Sequence, residues 1–399
     1  RLPANRQDAL IMNELVRQFR NFFVSLQLTV VLLILSLLIV FVATLDQVNL
    51  GIWAVQEKYF RSFFVLWRVP GADVQLPVFP GGYFIGTLLL INLVAAHIYR
   101  FAFTWKKFGI QLAHAGLILL LVGELLTGLL QQDSSMRLEE GQTKSYSESF
   151  RNFELALIDR TDPAFDEVVA IPEAVLGDEG TVQHPKLPFQ VKVKAYYGNA
   201  TMQMGDPAAR PGMPVANQGL GSRVQVIPLA LTYKPDEINQ PAAFVEIITS
   251  EGTLGTWVVS PLIGMAQSFN YQGHQWELAL RLQRHYQPFS LNLLKVTHEV
   301  YPGTEIPKNF ASRVRLKDEA GHDDREVVIY MNNPLRHGGL TFYQYQMNAA
   351  GKMSAFQVVR NPGWLLPYIA CIMMGIGLLI QFGLSLTSFI RKRSAAAQA

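Results

Sequence analysis

Two histidines, His97 and His114, stand at the edges of two long apolar runs and flank the cationic, aromatic stretch "YRFAFTWKK" at residues 99–107. Imidazole in hydrocarbon suits three tasks: passing protons, lining an ion path, or ligating a metal such as haem iron. His97 precedes Arg100 by three residues and His114 follows Lys107 by seven. At the helical rise they lie roughly 4–5 Å and 10 Å from the edge that the cations mark. The plain alternative is an interfacial histidine that reaches headgroups or bonds across helices, and Gln111, at i−3, offers His114 such a partner. Helices joined by a short loop pack about 8–10 Å apart, which leaves little room for a porphyrin between two imidazoles of one hairpin. A ligand from this hairpin more easily finds its opposite axial partner on another helix or another chain. Glu124, about 24 Å along the second of the two runs, reads as a solvated carboxylate near the far interface.

The elements that must position these residues are membrane spans. Half of the 399 residues are hydrophobic and 16% are charged, which is unlike a soluble domain of this length. Four stretches approach the length of about 20 apolar residues that crosses a bilayer core: 28–45, 83–101, 108–130 and 364–390. The first is read as an uncleaved span, too far from the start of the chain and too rich in Leu, Ile and Val for a signal sequence. Arg17 and Arg20 precede it, Arg100, Lys106 and Lys107 separate the second and third spans, and Arg391, Lys392 and Arg393 follow the fourth. By the positive-inside rule these three clusters mark the cytoplasmic face. The threading then gives an arm at 1–27, an outer loop at 46–82, a cytoplasmic loop at 102–107, an extracytoplasmic segment at 131–363 and a cytoplasmic tail at 391–399. Within the outer loop, "NLGIWAVQEKYFRSFFVLW" suits an interfacial amphipathic helix.

From Phe150 on, short runs alternate with period two, among them "FELALI", "FQVKVKAYYG", "LALTYKP", "AAFVEIITS", "GTWVVS", "QWELALRLQ", "REVVIYM", "LTFYQYQM" and "SAFQVVR". Gly, Pro, Asn and Asp punctuate them, so the fold expected is a large antiparallel all-β extracytoplasmic domain, sandwich-like, inserted between transmembrane helices 3 and 4. The stretch 201–222, rich in Gly and Pro, is expected to be mobile.

Several chemistries are set aside. Cys371 is the single cysteine, which excludes an intramolecular disulfide framework and a CxxC redox pair. A net charge of +3 without a basic stripe gives no footprint for nucleic acid. His184, His274, His285, His298, His322 and His337 form no HxH, HxxxH or HExxH pattern, so the outer domain offers neither a hydrolase nor a metalloprotease reading and no catalytic residue is assigned.

Particular motifs then resemble a known family. "VATLDQVNLGIWAVQEKYF" follows the first span, and "MRLEEGQTKSYSE" follows the third with a strand and an EG turn. Towards the end stand "EIPKNFASRVRLKD", "VVIYMNNPLRHGGLTFYQYQMN" and "FQVVRNPGWLLPYIACIMMGIGLLIQF". This order is similar to ResB, also called CcsB, of System II cytochrome c maturation. The resemblance implies a non-autonomous subunit of a haem lyase complex in the cytoplasmic (inner) membrane, multi-pass, with both termini cytoplasmic and the large domain periplasmic. It implies a ResC (CcsA) partner carrying a tryptophan-rich haem-handling segment, non-covalent haem b in transit, and thioether attachment to CxxCH of apocytochrome c. It also implies a haem-iron ligand on the second span, which is His97 here, with His114 the runner-up or a supporting neighbour. The tryptophans of this chain, at 53, 67, 105, 257, 276 and 364, are scattered, so a complete synthase is not expected. His337 in "NNPLRHGG" departs from the aromatic residue expected there and is read as solvated. Two rival readings stay open: a standalone b-type electron-transfer cytochrome using His97 and His114, and a cofactor-free membrane scaffold.

Overall fold

The computed structural model describes residues 14, 16–68, 74–99, 104–206, 212–232, 237–300, 302–303, 307–348 and 352–398. It divides into a helical unit, built from residues up to Gln131 and from Asn361 on, and a β unit over Gln132–Thr232 and Asp236–Arg360.

Four helices dominate the first unit: α1 Leu26–Leu50, α2 Gly82–Tyr99, α3 Phe108–Leu130 and α4 Leu366–Gln398. Each is long and apolar enough to cross a membrane, at about 27 Å for the shortest given 1.5 Å per residue. The chain is a membrane protein. Local chemistry sets the ends of α1. Ser25 caps it, its hydroxyl accepting from Gln27 N at 3.2 Å, and Gly51, at φ +78°, closes it with an N–H donated to Gln47 O. α1 and α4 run beyond the expected bounds 28–45 and 364–390, while Arg100 and the residues up to 103 lie outside the described residues.

The segment between α1 and α2 corrects the expectation of one interfacial helix. Only Ile52–Phe60 is helical, the last five residues as a π-turn. The aromatic and β-branched run that follows forms β1 Phe64–Arg68, paired antiparallel with β2 Gln75–Pro80. Such residues favour the extended chain, and the pairing buries Val65 with Tyr59, Val55 and Ile85 against α1.

In the β unit the chain runs through β3 Gln132–Glu139, β4 Thr143–Asp159, β5 Glu167–Pro172, β6 Thr181–Val182, β7 Gln190–Tyr197, β8 Ala200–Met204, β9 Val224–Pro228, β10 Ala242–Thr249 and β11 Gly252–Val259. It continues through β12 Gln267–Tyr271, β13 His274–Val300, β14 Pro307–Asp318, β15 Asp324–Tyr330, β16 Leu335–His337, β17 Leu340–Met347 and β18 Met353–Arg360. The pairings are antiparallel. One sheet has the order β15-β14-β13-β4-β3-β18-β17-β16, with β12 also on β13 and β5 also on β4; a second has the order β11-β10-β7-β6; β8 and β9 form a hairpin.

A sandwich describes only half of this unit. Phe153, Leu155 and Leu157 of β4 and Trp276, Leu278 and Leu280 of β13 pack on Val191, Val193, Val245, Ile247 and Trp257 of the four-stranded sheet. Beyond them the large sheet curls on itself. Leu291, Leu293, Val314, Leu316 and Ile329 from one end meet Met136, Leu138, Phe342 and Phe356 from the other in a second core. Burying each such side chain stabilises by about 1.5–3 kcal/mol. The register between β4 and β13 breaks between Tyr286 and Leu291, where the first core gives way to the second, and Pro288 within that break has no N–H to donate to a ladder.

The turn read from "EEGQ" is present, with Gly141 at φ +85° and Gln142 N donating to Glu139 O. "LALTYKP" is not a strand over its described residues: pairing ends at Pro228, and Leu229 N turns to Asn199 O. Part of the stretch 201–222 is packed rather than loose. Ala216 and Gly221 are buried, and a Cβ on Gly221 would meet Val258 N at 3.0 Å. Residues 207–211 lie outside the described residues.

Candidate functional site

His97 sits in the last turn of α2 and His114 in the second turn of α3. Their rings are neighbours, 6.5 Å between centroids with 33° between planes. Nδ1 of His114 lies 2.8 Å from the carbonyl oxygen of Ile110, one turn back. A carbonyl accepts only, so Nδ1 donates to it, and in the neutral ring this leaves the lone pair on Nε2. A metal-binding histidine is oriented in this way, with the far nitrogen donating to a backbone carbonyl or carboxylate. Imidazole is a donor that haem iron takes, so His97 and His114 are each of a type that would hold it. His114 thus has a backbone partner in Ile110 O, and Gln111, the partner expected from the sequence, is buried.

Three features position the helices of this unit, and none was singled out from the sequence. The first is a seam of small residues between α3 and α4. A Cβ on Gly109 would stand 2.5 Å from Gly377 O, one on Gly116 2.8 Å from Ala370 O, and one on Gly123 3.0 Å from Leu366 Cβ. From the α4 side, a Cβ on Gly377 would stand 2.6 Å from both Gly109 O and Ala113 N. Backbones approach this closely only where side chains are minimal. The seam fixes α3 along one face and leaves His114 on another, towards α2. The signal was the seven-residue spacing of Gly109, Gly116 and Gly123.

The second is Asn92, 2% exposed in the middle of α2. Its Nδ2 donates to Phe23 O at 2.7 Å and Ser25 O at 3.1 Å, and its Oδ1 accepts from Thr29 Oγ1 at 2.6 Å. These carbonyls lie at the break before α1, so one buried amide ties α2 to that break. The third is at the other end of α1, where Asp46 accepts from Lys58 Nζ and from the Tyr59 hydroxyl, both at 2.8 Å. An acid in the last turn of an apolar helix was the available signal. Near His97, Arg20 lies over the ring of Tyr99, 5.8 Å from its centroid.

Glu124 is exposed and lines a cavity of about 420 Å³ with Arg61, Tyr83, Thr87 and Gly128. Several histidines of the β unit have local partners. His274 pairs with Asp159 at 2.6 Å. Burial pushes Asp159 up, but hydrogen bonds from Thr161 and His274 outweigh it and hold the carboxyl below its usual range. His298 stacks on Phe310, and His322 stands 3.8 Å from Asp318. His337 is packed rather than freely solvated: its ring meets Phe289 edge-on at 4.7 Å, and Nδ1 is 3.5 Å from Asp323. Among the described residues, no three of His, Cys, Asp and Glu group as a metal site.

Comparison with known proteins bears on the β unit. Residues 267–355 match the ResB-like family, a segment that runs from the start of β12 into β18 and takes in most strands of the second core. His97 and His114 lie outside it. Protein NrfI of Wolinella succinogenes is 32% identical over 105 residues. That alignment covers 26% of this chain and 12% of the relative, so the chain spans a small part of the protein it matches. The motif order around β14 to β18 agrees with the matched segment, so this part of the chain is similar to the ResB-like family.

Proposed function

We propose that the chain is a membrane subunit in cytochrome c maturation of the System II type, and that it holds haem in transit at His97. The observation that carries this reading is the adjacency of His97 to a His114 whose Nδ1 is committed to Ile110 O. Haem b is cargo here. A ResC (CcsA) partner with a tryptophan-rich segment would supply the opposite ligand and present the haem outside, where its vinyl groups join the CxxCH cysteines of apocytochrome c as thioethers. In this reading the cationic ends of the helices are cytoplasmic in the inner membrane and the β unit is periplasmic. Support for the role comes from the ResB-like segment, and support for the ligand from the donor geometry.

In this arrangement His97 offers a ring nitrogen at the end of α2, and His114 keeps its ring fixed beside it. The glycine seam and Asn92 hold the two helices that carry them. Haem supplies the vinyl groups for thioether formation, and no catalytic residue on this chain is required.

One observation favours a second reading. A 6.5 Å ring separation suits both imidazoles on a single metal atom, as in a standalone b-type electron-transfer cytochrome, although a porphyrin plane would then have to pass between α2 and α3. The full chain purified with and without a ResC-type partner separates the two. The proposal expects haem mainly in the complex, and loss of both haem and c-type cytochrome yield in His97→Ala. Stoichiometric, reversibly reducible haem in the isolated chain, lost equally in His97→Ala and His114→Ala, supports the second reading instead. Unchanged haem and cytochrome yield in His97→Ala contradicts both.

A further inference from the structure

β13 is paired with β4 along one edge. Along its other edge it is paired with β12 as far as Leu278 and with β14 from Phe289. Among the described residues no strand pairs with that second edge across 279–288. The carbonyl of Gln275 accepts from Arg160 N at 2.9 Å, so alternation in an antiparallel ladder turns residues 277, 279 and 281 towards β4. Leu280 and Leu282 then direct their N–H and C=O groups to the open edge.

A cavity of about 400 Å³ lies there, lined by the five consecutive residues Leu278, Ala279, Leu280, Arg281 and Leu282. Successive side chains of a strand point to opposite faces. A cavity that touches five in a row therefore reaches the backbone edge, and it extends over one face as far as Phe153 and Glu148 of β4. Its far wall is drawn from the stretch Ser260–Gln267, where the chain leaves the line of β12. One buried side-chain atom of a residue that lines this cavity lacks a hydrogen-bond partner, the donor Nη2 of Arg281. Arg281 is otherwise held through Nε by Glu154 at 3.0 Å. A compact apolar ligand would leave this donor unsatisfied, at a cost that native structures avoid. An extended polypeptide brings alternating N–H and C=O groups at strand spacing. Pro288 O already accepts from Glu319 N at 3.1 Å, and the gap of nine residues at 279–287, roughly 30 Å long, has room for such a segment.

We propose that the open edge of β13 between Ala279 and Gln287 receives an extended segment of a partner polypeptide as an added strand, with an acidic side chain taken by Arg281. This inference stands apart from the haem reading, since neither histidine of the membrane hairpin enters it.

The test uses the full chain in detergent and a soluble decapeptide, TVSVEVSVTK, as the probe. Binding should slow hydrogen–deuterium exchange in 279–287 by about tenfold or more. Methylating alternate peptide nitrogens along one edge should abolish binding. Replacing the peptide's glutamate by glutamine should weaken it about tenfold, as loss of a charge-assisted bond does. That discrimination should vanish in the double variant Arg281→Gln with Glu154→Gln, which leaves no buried charge and so protects folding. The proposal is overturned if methylated peptide binds equally, or if 279–287 exchanges as slowly in the free chain. It is also overturned if the segment is protected only as the chain doubles in mass, which would assign the edge to a second copy.

Discussion

The two faces of α3 do opposite things. Towards α4 it presents Gly109, Gly116 and Gly123, and the backbones come so close that a single Cβ would collide with a carbonyl or amide. Towards α2 it presents His114, and the helices there are separated by two imidazole rings 6.5 Å apart. In hydrocarbon there is little hydrophobic force between helices, so close backbone packing is what fixes a pair. The contrast separates a seam that holds from a face that carries functional groups. Rigidity on the first side positions the second, as the proposed ligand site requires, since a ligand must be held within a fraction of an ångström of its working place.

Breaking the seam should have the largest effect. Gly116→Leu forces a side chain against Ala370 O and Met374, and overpacking of this kind costs about 1–3 kcal/mol. The expected result is a clear drop in the melting temperature of the detergent-solubilised chain, together with loss of whatever His114 does. Next comes Asn92→Leu. It removes three hydrogen bonds at the break before α1, each worth about 0.6 kcal/mol on average between membrane helices. The same melting measurement should show a smaller drop, and cysteine crosslinking between α1 and α2 should become less efficient.

His114→Phe sharpens the contrast from the other side. It keeps a ring beside His97 while removing the bond to Ile110 O, so thermal stability should change by less than about 1 kcal/mol while haem content responds. A large stability loss would make His114 a packing residue. The smallest effect lies in the β unit. Because the Asp159 carboxyl is held below its usual range, its contribution is present above the unfolded pKa of about 3.9 and is lost as pH falls through the lower folded value. Asp159→Asn should flatten the fall in melting temperature below about pH 4 and leave the helical unit untouched.

Much of the architecture was visible in local pattern. Apolar runs marked all four helices, because composition alone decides whether a segment tolerates hydrocarbon. Alternation marked most strands, and "EEGQ" marked the turn at Gly141. Non-local features were not. Which strands pair is settled by contacts far apart in sequence, so the curling of one sheet into a second core around Phe342 and Phe356 could not be read from alternation. The aromatic run at Phe63–Trp67 carries charges near it that mimic an amphipathic helix, and only its pairing with β2 shows a strand. The histidines were found by their rarity in apolar runs. Their adjacency, the bond to Ile110 and the seam behind α3 needed three dimensions, although the seven-residue spacing of the glycines, matched by Ala370 and Gly377, was already present in the sequence.

The central claim, that His97 is an axial ligand held in place beside His114, is tested most directly by ligand replacement in the purified complex. His97→Gly should lose the low-spin absorption spectrum of bound haem, and added imidazole should restore it by filling the vacated ligand position. A His97→Gly complex with an unaltered spectrum before imidazole is added contradicts the account.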